Sequence, residues 1–469
     1  MDAIKQPNPG FIRLFKLAIK GDNQQDYTSG SIGQAAFLLA VPMVLEMVME
    51  SIFAVTDIFF VSGLGSKAVA VVGLTEAVIT LLYAVAIGLS MAVTAMIARR
   101  VGEKDIESAK LVAMQTLYVG MAVALLVACI GIAFAEEILV AMGADDEVKT
   151  MGKNYTSVML GGSITILYLF LINAIFRGAG DAAIAMRSLW LANGINIVLD
   201  PLLIYGIGPF PEMGVEGAAV ATTIGRGIGV CYQLYHLFGS SSRITLDSRH
   251  LGFNWDICRR LLRVSVGGVF QFLIATASWI ALVRIISTYG SAAIAGYTIA
   301  IRVVIFTILP AWGLSNAVAT LVGQNLGAGN SERAEKSVWK VAKYNVYFLV
   351  SVAIIFIIFA RPIIEIFSHD SAVINYGVDC LRFISYGYGF FAVGMIVVQA
   401  FNGAGDTVTP TKINFFCYWL IQIPLAYLLA ESLQLGPIGV FAAITIAESL
   451  LALVGVYIFR QGHWKVKTV

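Results

Sequence analysis

Charge is what this sequence has least of. Only 13% of its 469 residues are Asp, Glu, Lys or Arg, against about 25% in an ordinary soluble domain. Hydrophobic residues make up 58% and the mean hydropathy is +0.83, which excludes an ordinary water-soluble domain and leaves a polytopic membrane protein. Histidine is scarce: His236, His250, His369 and His463 are scattered with no metal-ligand spacing among them. The five cysteines (129, 231, 258, 380 and 417) form no CxxC pair, so neither a disulfide framework nor a metal site is indicated. No small-residue cleavage site follows an apolar core near the start, so no cleavable signal peptide is expected. The net charge of +2 gives no reason to expect a nucleic-acid partner.

What the chain has in abundance is apolar runs of membrane-crossing length. Spans are expected near 35–61, 68–98, 112–134, 154–176, 185–205 and 215–238, then near 261–288, 293–323, 338–360, 377–401, 411–430 and 438–459. Each holds roughly the 20 residues that a crossing helix needs. The fold class is therefore all-α, with about twelve transmembrane helices. Residues 1–30 form an N-terminal segment in which Arg13, Lys16 and Lys20 share a helical face, as in a short helix lying on an anionic leaflet. Residues 239–260 form a linker rich in Arg and Ser between two halves, 31–238 and 261–469. Arg and Lys collect in alternate loops (Arg99, Arg100, Arg177, Arg243, Arg259, Arg333, Lys412), whereas Glu136, Glu137, Asp145, Asp146 and Asp370 collect in the others. By the positive-inside rule both termini are cytoplasmic.

The halves repeat one another. Phe176-Arg-Gly-Ala-Gly-Asp181 recurs as Phe401-Asn-Gly-Ala-Gly-Asp406. The same shift of 225 pairs Gly65 with Gly290, Gly88 with Gly313, Gly102 with Gly327, Asp145 with Asp370 and Gly214 with Gly439. One constant shift from first span to last indicates duplication. With six helices in each half, the two insert the same way up, the parallel-repeat plan of transporters that rock two bundles about a central site.

The first span carries the chemistry. Glu46, Glu50 and Asp57 fall within roughly 40° of one another on a helix of ~100° per residue. An acid at membrane depth costs about 2.5 kcal/mol or more, so three on one stripe point to a wet interior. The plain alternative is a helix buried against protein with its carboxylates satisfied by hydroxyls or Arg. Pro42, lower in the same span, removes a backbone donor and is expected to kink it. At the shift of 225, Glu46 meets Gln271, Glu50 meets Ala275 and Asp57 meets Leu282. Packing needs are shared by the halves, yet the acids are private to one, which argues for function. Asn196 and Asp200, four apart in the fifth span and followed by Pro201, share a face. With Asp57 they would form an oxygen-rich pocket for Na⁺, or a desolvated carboxylate able to carry a proton. Met47, Met43, Trp279, Trp312 and Tyr297 are candidates to line a cleft for flat cationic drugs. Other charges in or near spans are Glu76, Glu216, Arg226, Arg284, Arg302, Arg382 and Glu448.

These residues resemble a known family. Pro42, the stretch V-T-D-I-F-F-V around Asp57, both Gly-Ala-Gly-Asp segments, N-I-V-L-D-P-L-L-I-Y-G and G-V-E-G-A-A-V-A-T resemble the multidrug and toxic compound extrusion (MATE) transporters, over almost the whole chain beyond residue 30. The resemblance implies a two-lobed, twelve-helix exporter, not an enzyme, driving organic cations outward against Na⁺ or H⁺. It implies a coupling site of the family's DinF-like branch at Asp57, Asn196, Asp200 and Thr222, with Glu50 facing the same cavity and a bend of the first helix near Pro42. The essential acid of NorM-like members in the seventh span is missing, since Ala275 stands there. No cofactor is expected beyond the coupling ion, and a monomer in the cell (inner) membrane is the expected form. Two other functions compete. A lipid-linked oligosaccharide flippase of the same superfamily would need further helices and a cationic cavity. A membrane-embedded enzyme would need clustered acids for Mg²⁺–diphosphate, which are not found.

Overall fold

The computed structural model describes residues 10–21, 25–239 and 242–468; the remaining parts of the N-terminal segment and linker lie outside the described residues. A short helix α1 (Phe11–Lys20) precedes the first half. That half contains α2 (Ile32–Ser62), α3 (Ser66–Gly102), α4 (Ile106–Ala133), α5 (Ala135–Ala141), α6 (Asp146–Gly161), α7 (Ser163–Ala179), α8 (Ala182–Ile204) and α9 (Val215–Phe238). The second half contains α10 (Trp255–Ser287), α11 (Ser291–Gly327), α12 (Ser331–Glu365), α13 (Ser371–Tyr386), α14 (Tyr388–Gly403), α15 (Val408–Asn414), α16 (Ile423–Tyr427) and α17 (Pro437–Arg460). Wider π-turns over Phe415–Gln422 and Leu428–Ser432 join α15 and α16 into one continuous span. The helices form two lobes, α2–α9 and α10–α17.

Among the described residues, ten helices are long and apolar enough to cross a membrane, with α6 and α7 counted as one. The pair α13–α14, bent by 58° at Gly387, makes an eleventh. The twelfth expected span is α9, whose hydropathy is diluted by Glu216, Arg226, Gln233 and His236. Helix starts follow local chemistry: Asp105, Asp145, Asn254 and Asn330 each accept a hydrogen bond from a first-turn backbone N–H.

The repeat is visible in the backbone. Gly65 and Gly290 open α3 and α11 with φ of 97° and 94°, a conformation that suits glycine. The expected constant shift fails at the last span of each half. Gly214 (φ 57°, ψ −136°) matches Gly436 (φ 59°, ψ −146°), and Gly217 and Gly439 both press on the preceding span, at Leu203 and at Leu429 and Ala430. The offset there is 222, because the connection before α17 is shorter, four residues (433–436) against ten (205–214) before α9. Gly214 therefore does not pair with Gly439.

The lobes meet at the end that carries both termini. A Cβ added to Gly102 would lie 2.0 Å from the Gln324 carbonyl oxygen, and one on Gly327 would lie 2.1 Å from that of Arg99. These are symmetry-related contacts, since Arg99 and Gln324 are also 225 apart. Thr320 Oγ1 donates to Arg177 O (2.9 Å) and Gln324 Nε2 to Gly178 O (3.0 Å). The Arg99 guanidinium reaches Lys467 O at 2.6 Å. α2 runs unbroken through Pro42, and its first half, from Ala35 to Met43, packs into a core with Val318, Leu321, Val338 and Val341 of the other lobe.

Candidate functional site

The acid stripe of α2 meets three sets of partners. Nearest the terminal end, Glu46 is 2% exposed. Its Oε1 accepts from Asn173 Nδ2 at 3.0 Å and lies 3.5 Å from the Arg177 guanidinium, both on α7. Asn173 Oδ1 in turn accepts from Gln233 Nε2 at 2.6 Å. The residues 225 positions on, Gln271 and Asn402, also bond to each other, Nε2 to Oδ1 at 3.0 Å. The second lobe thus keeps the same polar bridge without its charges. One turn further along α2, Glu50 Oε2 accepts from Asn193 Nδ2 of α8 at 3.0 Å.

Two turns beyond Glu50 stands Asp57, and Asn196, Asp200 and Thr222 are joined to one another by hydrogen bonds. Asp200 and Asn196 are buried on α8, with Thr222 beside them on α9. The Asn196 amide satisfies every neighbour when its Nδ2 donates to Asp200 Oδ2 at 3.0 Å and its Oδ1 accepts from the Thr222 N–H and hydroxyl at 3.0 Å. Asp57, half-buried, is an electrostatic neighbour of Asp200 and of Arg226. Of the four side chains singled out from the sequence, Asn196, Asp200 and Thr222 are thus joined by hydrogen bonds, and Asp57 acts on Asp200 electrostatically.

Arg226 on α9, 6% exposed, organises the group more than its lone position in the sequence indicates. Its guanidinium donates to Tyr83 Oη at 2.9 Å and lies over the rings of Phe53 (5.8 Å) and Tyr83 (5.9 Å). Glu50 and Glu76 are further electrostatic neighbours. One buried cation stands among Glu50, Asp57 and Glu76, which lessens the mutual repulsion of the acids. Tyr83 and Glu76 were missed as site residues because they sit on α3, and no spacing links separate helices.

A cavity of about 210 Å³ lies between the lobes. Glu46, Met47, Glu50, Asn173 and Arg177 line it from one lobe, and Trp312, Asn316, Gln399 and Asn402 from the other. A second cavity of about 210 Å³ adjoins it on the second lobe, sharing Ile87, Met91, Trp312, Gln399 and Asn402 as walls. Met47, Glu50 and Trp312 thus line the cleft, whereas Tyr297 and Trp279 do not. Tyr297 is 3% exposed and stacks on Phe441 inside the second lobe (centroids 6.2 Å apart). Trp279, 42% exposed, borders neither cavity. Met43 is wholly buried under Gly313. Among the described residues no group of three His, Cys, Asp or Glu is disposed to hold a metal ion.

Comparison with known proteins agrees with this architecture. The MatE family profile matches residues 42–202 and again 269–428, once in each half and over more than half the chain. A probable multidrug resistance protein NorM of Thermotoga maritima is 28% identical over 92% of this chain and 93% of its own length. The multidrug export protein MepA of Staphylococcus aureus is 24% identical over 94% and 97%. An FAD transporter of Shewanella oneidensis is 25% identical over 92% and 95%. A crystal structure of a MATE transporter in complex with MaL6 superposes with a TM-score of 0.88 at 27% identity, covering 93% of this chain and 97% of that one. An outward-facing MATE transporter of the MOP superfamily superposes equally well. The chain belongs to the MatE family of multidrug and toxic compound extrusion transporters.

Proposed function

We propose that this chain is a secondary active exporter that moves organic cations out of the cell against inward Na⁺ or H⁺. It would act as a monomer in the cell (inner) membrane, with both termini in the cytoplasm. The observation that carries the reading is the cluster of Asp57, Asp200, Asn196 and Thr222 beside the buried Arg226, whose carboxylates have no counterpart in the other half. A carboxylate pair with an amide and a hydroxyl supplies hard oxygen donors for Na⁺, or two proton-accepting sites. Occupancy by a cation would remove repulsion between Asp57 and Asp200, and α2 and α8 would then settle into a different packing. The cleft contributes a net acidic lining, Glu46 and Glu50 against Arg177, which favours cationic cargo over the anionic cargo of the FAD transporter. The closed terminal end corresponds, on this orientation, to an outward-facing state.

The test is efflux of a cationic dye from vesicles under separately imposed Na⁺ and H⁺ gradients. Wild type should respond to one gradient, and Asp57→Asn should lose that response. Unchanged gradient-driven efflux in the variant would overturn the coupling assignment.

A further inference from the structure

The cavity in the second lobe holds a carboxyl group that the coupling site does not use. Glu448 on α17 lines it, half-buried, and accepts a hydrogen bond from Tyr418 Oη at 3.1 Å. Among the described residues no Lys, Arg or His forms an ion pair with it. Corrected for the offset of 222, Glu448 stands at the position that Arg226 holds in the first lobe. Equivalent places in two duplicated bundles thus carry opposite charges. Arg226 answers neighbouring acids, whereas among the described residues Glu448 is met by the neutral Tyr418 hydroxyl and by no cation. A second polar group lies in the same cavity: Asn414, 8% exposed, lines the wall, and among the described residues its buried Oδ1 accepts no hydrogen bond. A buried acceptor without a donor costs about 1–3 kcal/mol. Phe272, Trp312 and Phe391 give the cavity aromatic walls, beside the neutral polar side chains of Gln271, Ser315, Gln399 and Asn402.

From this arrangement we infer that the second-lobe cavity is a subsite for a protonated amine, whose N–H groups serve the Glu448 carboxylate and Asn414 Oδ1 while its apolar body lies against Trp312, Phe272 and Phe391. A carboxylate with lone pairs to spare beyond its bond from Tyr418, and an amide oxygen with no donor, select a cation that carries N–H bonds. A quaternary ammonium ion keeps the charge and the cation–π attraction but leaves Asn414 unsatisfied. The subsite opens on the central cleft through the shared Trp312, Gln399 and Asn402, so an amine taken up there would lie within the proposed export path. This rests on the cation-exporter reading and adds the cargo's chemical class and its anchor.

Calorimetric titration of the purified protein with phenethylamine and with its N,N,N-trimethyl analogue tests the inference. No ion gradient enters this measurement, so its failure is distinct from a failure of the coupling assignment. Wild type should bind phenethylamine several-fold more tightly than the quaternary analogue. The isosteric Glu448→Gln should weaken both at least ten-fold, and Asn414→Ala should abolish the preference between them. Equal affinity of wild type for the two cations, no measurable binding of either, or unchanged binding in Glu448→Gln would overturn it. Unchanged thermal unfolding of the variants would show that a loss of binding is local.

Discussion

At the scale of single residues, Arg226 decides whether the first lobe can hold its acids. Its charge lies among Glu50, Asp57 and Glu76, and its replacement by an apolar residue leaves those carboxylates uncompensated. Removing one partner from a buried charge cluster typically costs about 3–5 kcal/mol. Arg226→Leu is therefore expected to lower the unfolding temperature in detergent markedly. Tyr83→Phe removes one charge-assisted hydrogen bond, worth at most about 1.5–3 kcal/mol, and should have a smaller effect on the same measurement. The acids themselves were legible in the sequence because a charge in an apolar span is rare, so helical spacing places it on a face. The aromatics were not. Tyr297 and Trp312 occupy similar apolar contexts, yet one fills a core and the other walls a cavity. An aromatic ring is equally at home in lipid, core or cleft, and spacing does not separate these.

At the scale of elements, Gly102 and Gly327 let the lobes close at the terminal end. The absent Cβ atoms are what admit the Gln324 and Arg99 backbones, and backbone yields less readily than a flexible side chain. Gly102→Ala should therefore prop this end open. Cysteine placed at Thr320, beneath that contact, should react faster with a water-soluble maleimide in the Gly102→Ala background than without it. The linker between the lobes is held by polar contacts instead. Arg249 pairs with Asp247 at 2.6 Å, and His250 Nε2 lies 3.0 Å from Glu107 Oε2 at the start of α4. Hydrogen bonds from Arg249 hold the Asp247 carboxyl down at about 2, below its value of about 3.9 in an unfolded chain. The folded value is depressed, so this support is present above that range and lost as pH falls through about 2. Pepsin should cut within 242–254 more readily near pH 2 than at pH 4, and Asp247→Asn should make cleavage comparable at both. Helix positions were legible from hydropathy to within about eight residues, because polar first and last turns extend the helices beyond their apolar runs. The change of repeat offset from 225 to 222 was not, since it arises in the turn before α17, where only backbone angles reveal the register.

For the molecule as a whole, a duplicated bundle has been made asymmetric in charge. The bridge between the first and fourth spans persists as Glu46–Arg177 in one lobe and Gln271–Asn402 in the other. Asp57 and Asp200 lie in the first lobe only, and Glu448 replaces the equivalent of Arg226 in the second. On the proposed reading labour is divided: ion exchange would fall to the first lobe, and cargo capture would extend into the second. The most direct measurement follows the coupling ion itself in purified protein. Adding a cationic substrate should release a proton or a ²²Na⁺ ion from the wild type, and release should be absent in Asp57→Asn although the substrate still binds. Equal ion release by the two proteins would contradict a coupling site at Asp57.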